Sequence, residues 1–134
     1  MTAEEILANI TAHGACLEGI VWAAGMDSAT AWSTNDPNGI KYLFWWAVKN
    51  AGRHGWKNSD NILVVVNEIV DATCTRLSTM KDIVREDFAQ VTTLEQAMSF
   101  LVRLEREIIC EDPNQLTVWT TEILTIVKKL SPTI

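Results

Sequence analysis

The residues of this chain whose side chains lend themselves to chemistry are three cysteines and two histidines, and their spacing restricts what they can do. His13 and Cys16, in the run His13-Gly14-Ala15-Cys16, stand three apart, a separation that suits two ligands of one zinc ion. A tetrahedral site needs two more ligands, and the sequence offers only His54 and the distant Cys74 and Cys110. The set is incomplete, so neither a metal nor a cofactor is expected. A Cys16 thiol activated by His13 or His54 would form a nucleophilic pair. No surrounding signature supports it, and His13 closes a helix, where a cation is favoured by the dipole alone. The glycines (Gly14, Gly19, Gly25, Gly39, Gly52 and Gly55) are scattered and build no phosphate-cradling loop. The acid pairs Glu86-Asp87 and Glu111-Asp112 are adjacent, so in a helix they point about 100° apart and cannot share a substrate. No catalytic residue is assigned. The cysteines, odd in number and each set among apolar residues, read as reduced and packed thiols of a cytoplasmic protein.

What remains is aromatic. Five of the six tryptophans fall between Trp22 and Trp56. Tryptophan is large and seldom fully buried, so such a concentration either anchors a core or forms a surface for a partner. Projected on a helix, residues 40–51 place Ile40, Leu43, Phe44, Ala47 and Ala51 on one side. Lys41, Tyr42, Trp45 and Lys49 then share the other, with Trp46 at the flank. An aromatic pair bracketed by lysines has the composition of an interface hot spot. The expected partner-binding set is therefore Lys41, Tyr42, Trp45, Trp46, Lys49 and Trp56. The competing reading has another helix covering these rings while the lysine stems reach past them to water.

Helix signals position this face. Thr2-Ala3-Glu4-Glu5 is a capping box opening a helix that stops at His13-Gly14. A second helix is expected over 15–24, closed by Gly25, and a short third one, capped by Asp27, carries Trp32. Asn35-Asp36-Pro37-Asn38-Gly39 is a turn in which every residue favours a bend. The aromatic helix follows, then a loop over 53–58. Residues 62–66, Ile-Leu-Val-Val-Val, suit a buried strand, but Leu63, Val66, Val70, Cys74 and Leu77 keep helical spacing and no second strand exists to pair with them. A helix over 61–78 is expected. Another, over 80–90, carries Ile83 and Phe88 among charges. Thr92-Thr93-Leu94-Glu95 reads as a capping box for a long helix striped by Leu94, Ala97, Met98, Leu101, Leu104 and Ile108. Asp112-Pro113 restarts the chain into a last helix presenting Leu116, Trp119, Ile123, Val127 and Leu130. The short connection makes these two an antiparallel hairpin. The whole, 1–134, reads as a single all-α domain, a helical bundle of about six to eight helices.

Charge narrows the function classes. The net charge of -6 divides into -1 over residues 1–58 and -5 over 59–134. A chain of this sign lacks the basic footprint of phosphate binding, so direct nucleic-acid binding and anionic membrane surfaces are disfavoured. The start is acidic where a secretory signal would be basic, and the uncharged apolar stretch at 19–26 is far too short to span a bilayer. In the acidic half, arginines are interleaved with the carboxylates, the pattern of an ion-paired helix surface and not of a DNA mimic.

His13-Gly14-Ala15-Cys16, Gly19, Trp22, Ala31-Trp32 and Leu43-Phe44-Trp45-Trp46-Ala47 together resemble a family of small phage and bacterial proteins. The resemblance covers about half of the chain. Its members usually carry a Cys and a Gly-Asp before the aromatic helix, where this sequence has Asn35-Asp36-Pro37-Asn38-Gly39. No activity or functional residue is attached to that family. What it implies is a setting, a phage or mobile-element accessory protein in a bacterial host cell. The function expected is therefore a non-catalytic protein-binding protein, an inhibitor of a bacterial defence complex of the anti-CRISPR kind. The alternatives are a small enzyme or metal protein using His13, Cys16 and His54, and a structural homo-oligomer joined through the stripes of its last two helices.

Overall fold

A computed structural model describes residues 1–56 and 62–132. Among them the chain forms α1 (Ala3–Ala12), α2 (Leu17–Ala23), α3 (Ser28–Trp32), α4 (Gly39–Lys49), α5 (Ile62–Arg76), α6 (Lys81–Phe88), α7 (Leu94–Glu111) and α8 (Leu116–Val127). Two 3-10 turns, Pro113–Gln115 and Lys128–Leu130, complete the helical inventory. The protein is all-α, and its one extended pairing among the described residues is an isolated antiparallel bridge between Trp56 and Pro132. Lys57, Asn58 and Asn61, expected in the loop after α4 and at the start of the next helix, lie outside the described residues.

Local signals explain the boundaries. Thr2 Oγ1 accepts the amide of Glu5 and the Glu5 carboxylate accepts that of Thr2, each at 3.2 Å, the reciprocal cap that starts α1. The helix ends where Gly14 turns to φ +81°, a conformation that costs a side chain-bearing residue energy. Asp27 Oδ1 accepts the Thr30 amide at 2.8 Å and caps α3. The capping box of α7 sits one residue later than expected, on Thr93 and Gln96 instead of Thr92 and Glu95. The Gln96 carbonyl reaches both the Thr92 and Thr93 amides, at 2.8 and 3.1 Å, which settles the register.

The apolar run at 62–66 is helical, as its longer-range spacing indicates. Its buried side is Ile62, Val65, Val66, Ile69, Val70, Thr73 and Cys74, so Leu63 is rotated to a half-buried edge. Helix α5 is the hub, packing against α6, α7 and α8. A buried polar relay locks it to α8: Trp119 Nε1 donates to Thr73 Oγ1 at 2.8 Å, and Thr73 donates to the Ile69 carbonyl at 2.8 Å. On α6 the anchor is Val84, fully buried, while Ile83 faces outward. The stripes of the last two helices are occupied inside the chain: Leu101, Leu104 and Ile108 on α7 and Trp119, Ile123 and Val127 on α8 are all buried. Leu94, Met98 and Leu116 of the same stripes remain half-buried.

Several surface carboxylates are committed to the fold. Glu5 and Asp27 are held below their ordinary range first by the backbone amides they cap. Glu111 is lowered first by the Ser78 hydroxyl, and Glu122 by its hydrogen bond from the Arg76 guanidinium. Each is more acidic folded than unfolded, so its stabilisation is complete above its ordinary value, 4.5 for the three glutamates and 3.8 for Asp27, and lost as pH falls through the folded value. The melting temperature is therefore expected to fall on acidification below about pH 4.5. Glu122→Gln should lower it at neutral pH and flatten that acid limb. An unchanged acid limb in Glu122→Gln melts would contradict the assignment.

Candidate functional site, an apolar cavity beside Trp45

The tryptophans that cluster in the sequence separate into two groups in space. Trp32, Trp46 and Trp56 form an interior triad: Trp46 lies 5.8 Å from Trp32 in a stacked arrangement and 4.9 Å from Trp56 edge-on. Trp46 and Trp56 are only 3% and 8% exposed, so neither presents an open face to solvent, although Trp46 still borders the cavity beside Trp45. The reason is local. Trp46 is polar at one atom only, and its Nε1 donates to Asn9 Oδ1 at 2.9 Å, satisfying the indole inside the core. Asn9 and Asn50 then exchange a reciprocal pair of amide hydrogen bonds at 3.1 Å. Trp56 is held edge-on against Trp46 and bridged to Pro132.

The second group is Trp22, Tyr42 and Trp45, which stay half-buried around a partly enclosed cavity of about 340 Å³. Five helices build it, α3 contributing only Ala31. Helix α1 supplies Ile6 and Ile10 to the floor, and α2 supplies Gly19, Trp22 and Ala23. From α4 come Lys41, Tyr42 and Trp45, and from α7 Met98, Leu101 and Val102. Trp22 meets Tyr42 at 5.2 Å between ring centroids and is pinned by its Nε1, which donates to Asp36 Oδ2 at 3.3 Å. The turn at 34–38 therefore positions one aromatic wall. Lys41 bridges to Glu105 at 3.4 Å, tying α4 to α7 beside the cavity, and Lys49 places its ammonium 5.9 Å from the Trp45 ring centroid. Of the six residues expected to contact a partner, Lys41, Tyr42, Trp45 and Trp46 border this cavity, Lys49 stands over Trp45 at its margin, and Trp56 is not among the lining residues.

Sequence reasoning missed Trp22 and the α1 and α7 walls. The signal for Trp22 lay in Gly19, three residues before it on α2, whose face packs on Tyr42: a Cβ there would stand 3.6 Å from Tyr42 and 3.6 Å from Cys16 Sγ. Those are ordinary contacts, so Gly19→Ala is expected to stabilise the protein by about 0.5–1 kcal/mol through helix propensity, read as a higher urea midpoint. A lower midpoint would mean that α2 sits closer to α4 than described.

The cavity is poor in groups able to do chemistry. Cys16 is exposed at its edge, and Cys110 is exposed on α7, which corrects the expectation that all three thiols are packed; Cys74 alone is buried. Cys16 occupies the N-cap position of α2 without a side-chain capping bond, and Cys110 falls two positions past the buried stripe that ends at Ile108. Among the described residues no hydrogen bond joins Cys16 to His13 or His54, and no group of three His, Cys, Asp or Glu is placed to hold a metal. The His13 imidazole lies below its ordinary range, first from burial and then from the nearby Arg53 and Lys49 charges. What the geometry can do is accept an apolar group against aromatic faces, with cations at its margin.

Among the described residues no helix is long and apolar enough to cross a membrane. Comparison with known proteins finds no matching family model, no matching curated protein and no matching solved structure.

Proposed function

We propose that this chain is a non-catalytic binding protein that grips another protein through the Trp22, Tyr42 and Trp45 face. One observation carries the reading. Helix α2 buries only Gly19 while exposing Leu17 at 76% and Val21 at 66%, directly beside an apolar cavity that its other side helps to wall. Exposed apolar area continuous with a concave aromatic site marks an interaction surface. A small ligand in the cavity would leave Leu17 and Val21 in water; a protein covers both.

The resemblance of the first half to small phage and bacterial proteins extends the proposal to a setting: an accessory inhibitor of a bacterial defence complex, of the anti-CRISPR kind, acting in the cytoplasm of the host. The test is affinity capture from bacterial lysate with the intact chain and with Trp45→Ala. A stoichiometric partner retained by the first and lost by a folded Trp45→Ala variant is the expected result. Capture of no partner, or equal capture by both, would overturn the proposal.

A further inference from the structure

The margin of the cavity is electrically lopsided. At the Trp45 end, Lys49 lies over the indole and Gly14 lines the wall next to His13, whose imidazole feels Arg53 and Lys49 as its near charges. Lys49 and Arg53 hold no ion pair among the described residues, as is also true of Lys81, Arg106 and Lys128 on the acidic half, but only Lys49 and Arg53 belong to the Trp45 end. In a chain of net charge -6 this is a local basic patch left unneutralised, adjoining an apolar hole with Leu17 and Val21 outside it.

Resting on the binding reading above, we infer that the cavity seats one aromatic or branched aliphatic side chain of a protein segment whose flanking residues are acidic, their carboxylates meeting Lys49 and Arg53. The volume of about 340 Å³ accommodates a single large side chain with room for its approach. The aromatic walls favour a ring or a branched alkyl group over a polar one, since the lining offers almost nothing to hydrogen-bond. Paired cations beside it select the sign of the neighbours and speed encounter with an acidic segment.

Random dodecamer peptides displayed and selected on the purified intact protein test this directly. The expected winners carry a Trp, Phe, Leu or Ile next to two or more Asp or Glu. A synthetic winner should bind with an affinity that drops about tenfold or more in Lys49→Glu/Arg53→Glu. Its binding should be abolished by Val102→Trp, which fills the cavity from an exposed wall position. Gly19→Met is a second filling variant from the opposite wall, and a circular-dichroism melt confirms that each is folded. Selection of basic or uncharged peptides, or of none, overturns the inference. So does a winner indifferent to charge reversal, which would mark a neutral apolar occupant, or indifferent to both filling variants. Light scattering that shows self-association lost on filling would assign the cavity to a second copy and overturn it as well. If lysate capture still depends on Trp45 while the peptides lack an acidic preference, this inference alone fails and the binding reading stands.

Discussion

Trp46→Ala is expected to destabilise the protein by about 3–5 kcal/mol, the range for removing a large aromatic from a packed core. Trp45→Ala, one residue away, should cost about 1–2 kcal/mol, because its ring is half-buried and packs on one side only. The asymmetry follows from the geometry. Trp46 is packed between Trp32 and Trp56, and its removal leaves those rings facing a void. It also strips Asn9 Oδ1 of the indole donor. Trp45 instead loses contact with Lys49 and a wall of a cavity that is already open. Urea denaturation of the two variants checks this. Equal losses would mean that Trp45 belongs to the core and that the proposed surface does not exist.

The second large effect is expected at Asn9. Asn9→Leu should destabilise by about 2–4 kcal/mol even though the residue is only partly buried and leucine is a good helix former. One side chain answers three polar groups: it accepts from Trp46 Nε1 and Asn50 Nδ2 and donates to Asn50 Oδ1. Asn50 is 1% exposed, so its amide has no water to turn to when Asn9 is gone. Its Nδ2 keeps a bond to the Trp46 carbonyl at 2.9 Å, but its Oδ1 and the indole are orphaned. Leaving a buried group unpaired costs more than a hydrogen bond gains. A double-mutant cycle with Trp46→Phe isolates the shared part, and coupling near zero would show that the network is dispensable. Trp32 offers a contrast. Its Nε1 is buried without a partner among the described residues, so Trp32→Phe forfeits no hydrogen bond.

Helix boundaries were largely legible because they are written in short-range chemistry. Thr2 with Glu5, Asp27 with Thr30, and Asp112 before Pro113 are decided within four residues, and each forms as its spacing implies. Where two local solutions competed, as between Thr92 and Thr93, the sequence alone could not choose the register. The rotation of a helix about its axis was less legible. Leu63 and Ile83 lie on plausible apolar stripes, yet Val65 and Val84 face the core, because the inside is defined by neighbours on other helices, α7 and α8 for α5 and α5 for α6. The same limit applied to the aromatic cluster. Trp45 and Trp46 are adjacent and chemically identical, and only Asn9, 37 residues from Trp46 on another helix, decides which indole turns inward. The cavity was invisible for a similar reason: its floor and far wall come from α1 and α7, whose apolar residues read simply as core.

The space between Trp22, Tyr42, Trp45 and α7 is where the partner is expected to bind. Methionine-methyl nuclear magnetic resonance tests it most directly, since Met98 lines the cavity while Met80 packs against the core elsewhere. Titrating labelled protein with the partner recovered from lysate should shift the Met98 methyl strongly and leave that of Met80 in place. A saturated complex in which the Met98 signal does not move would contradict the account.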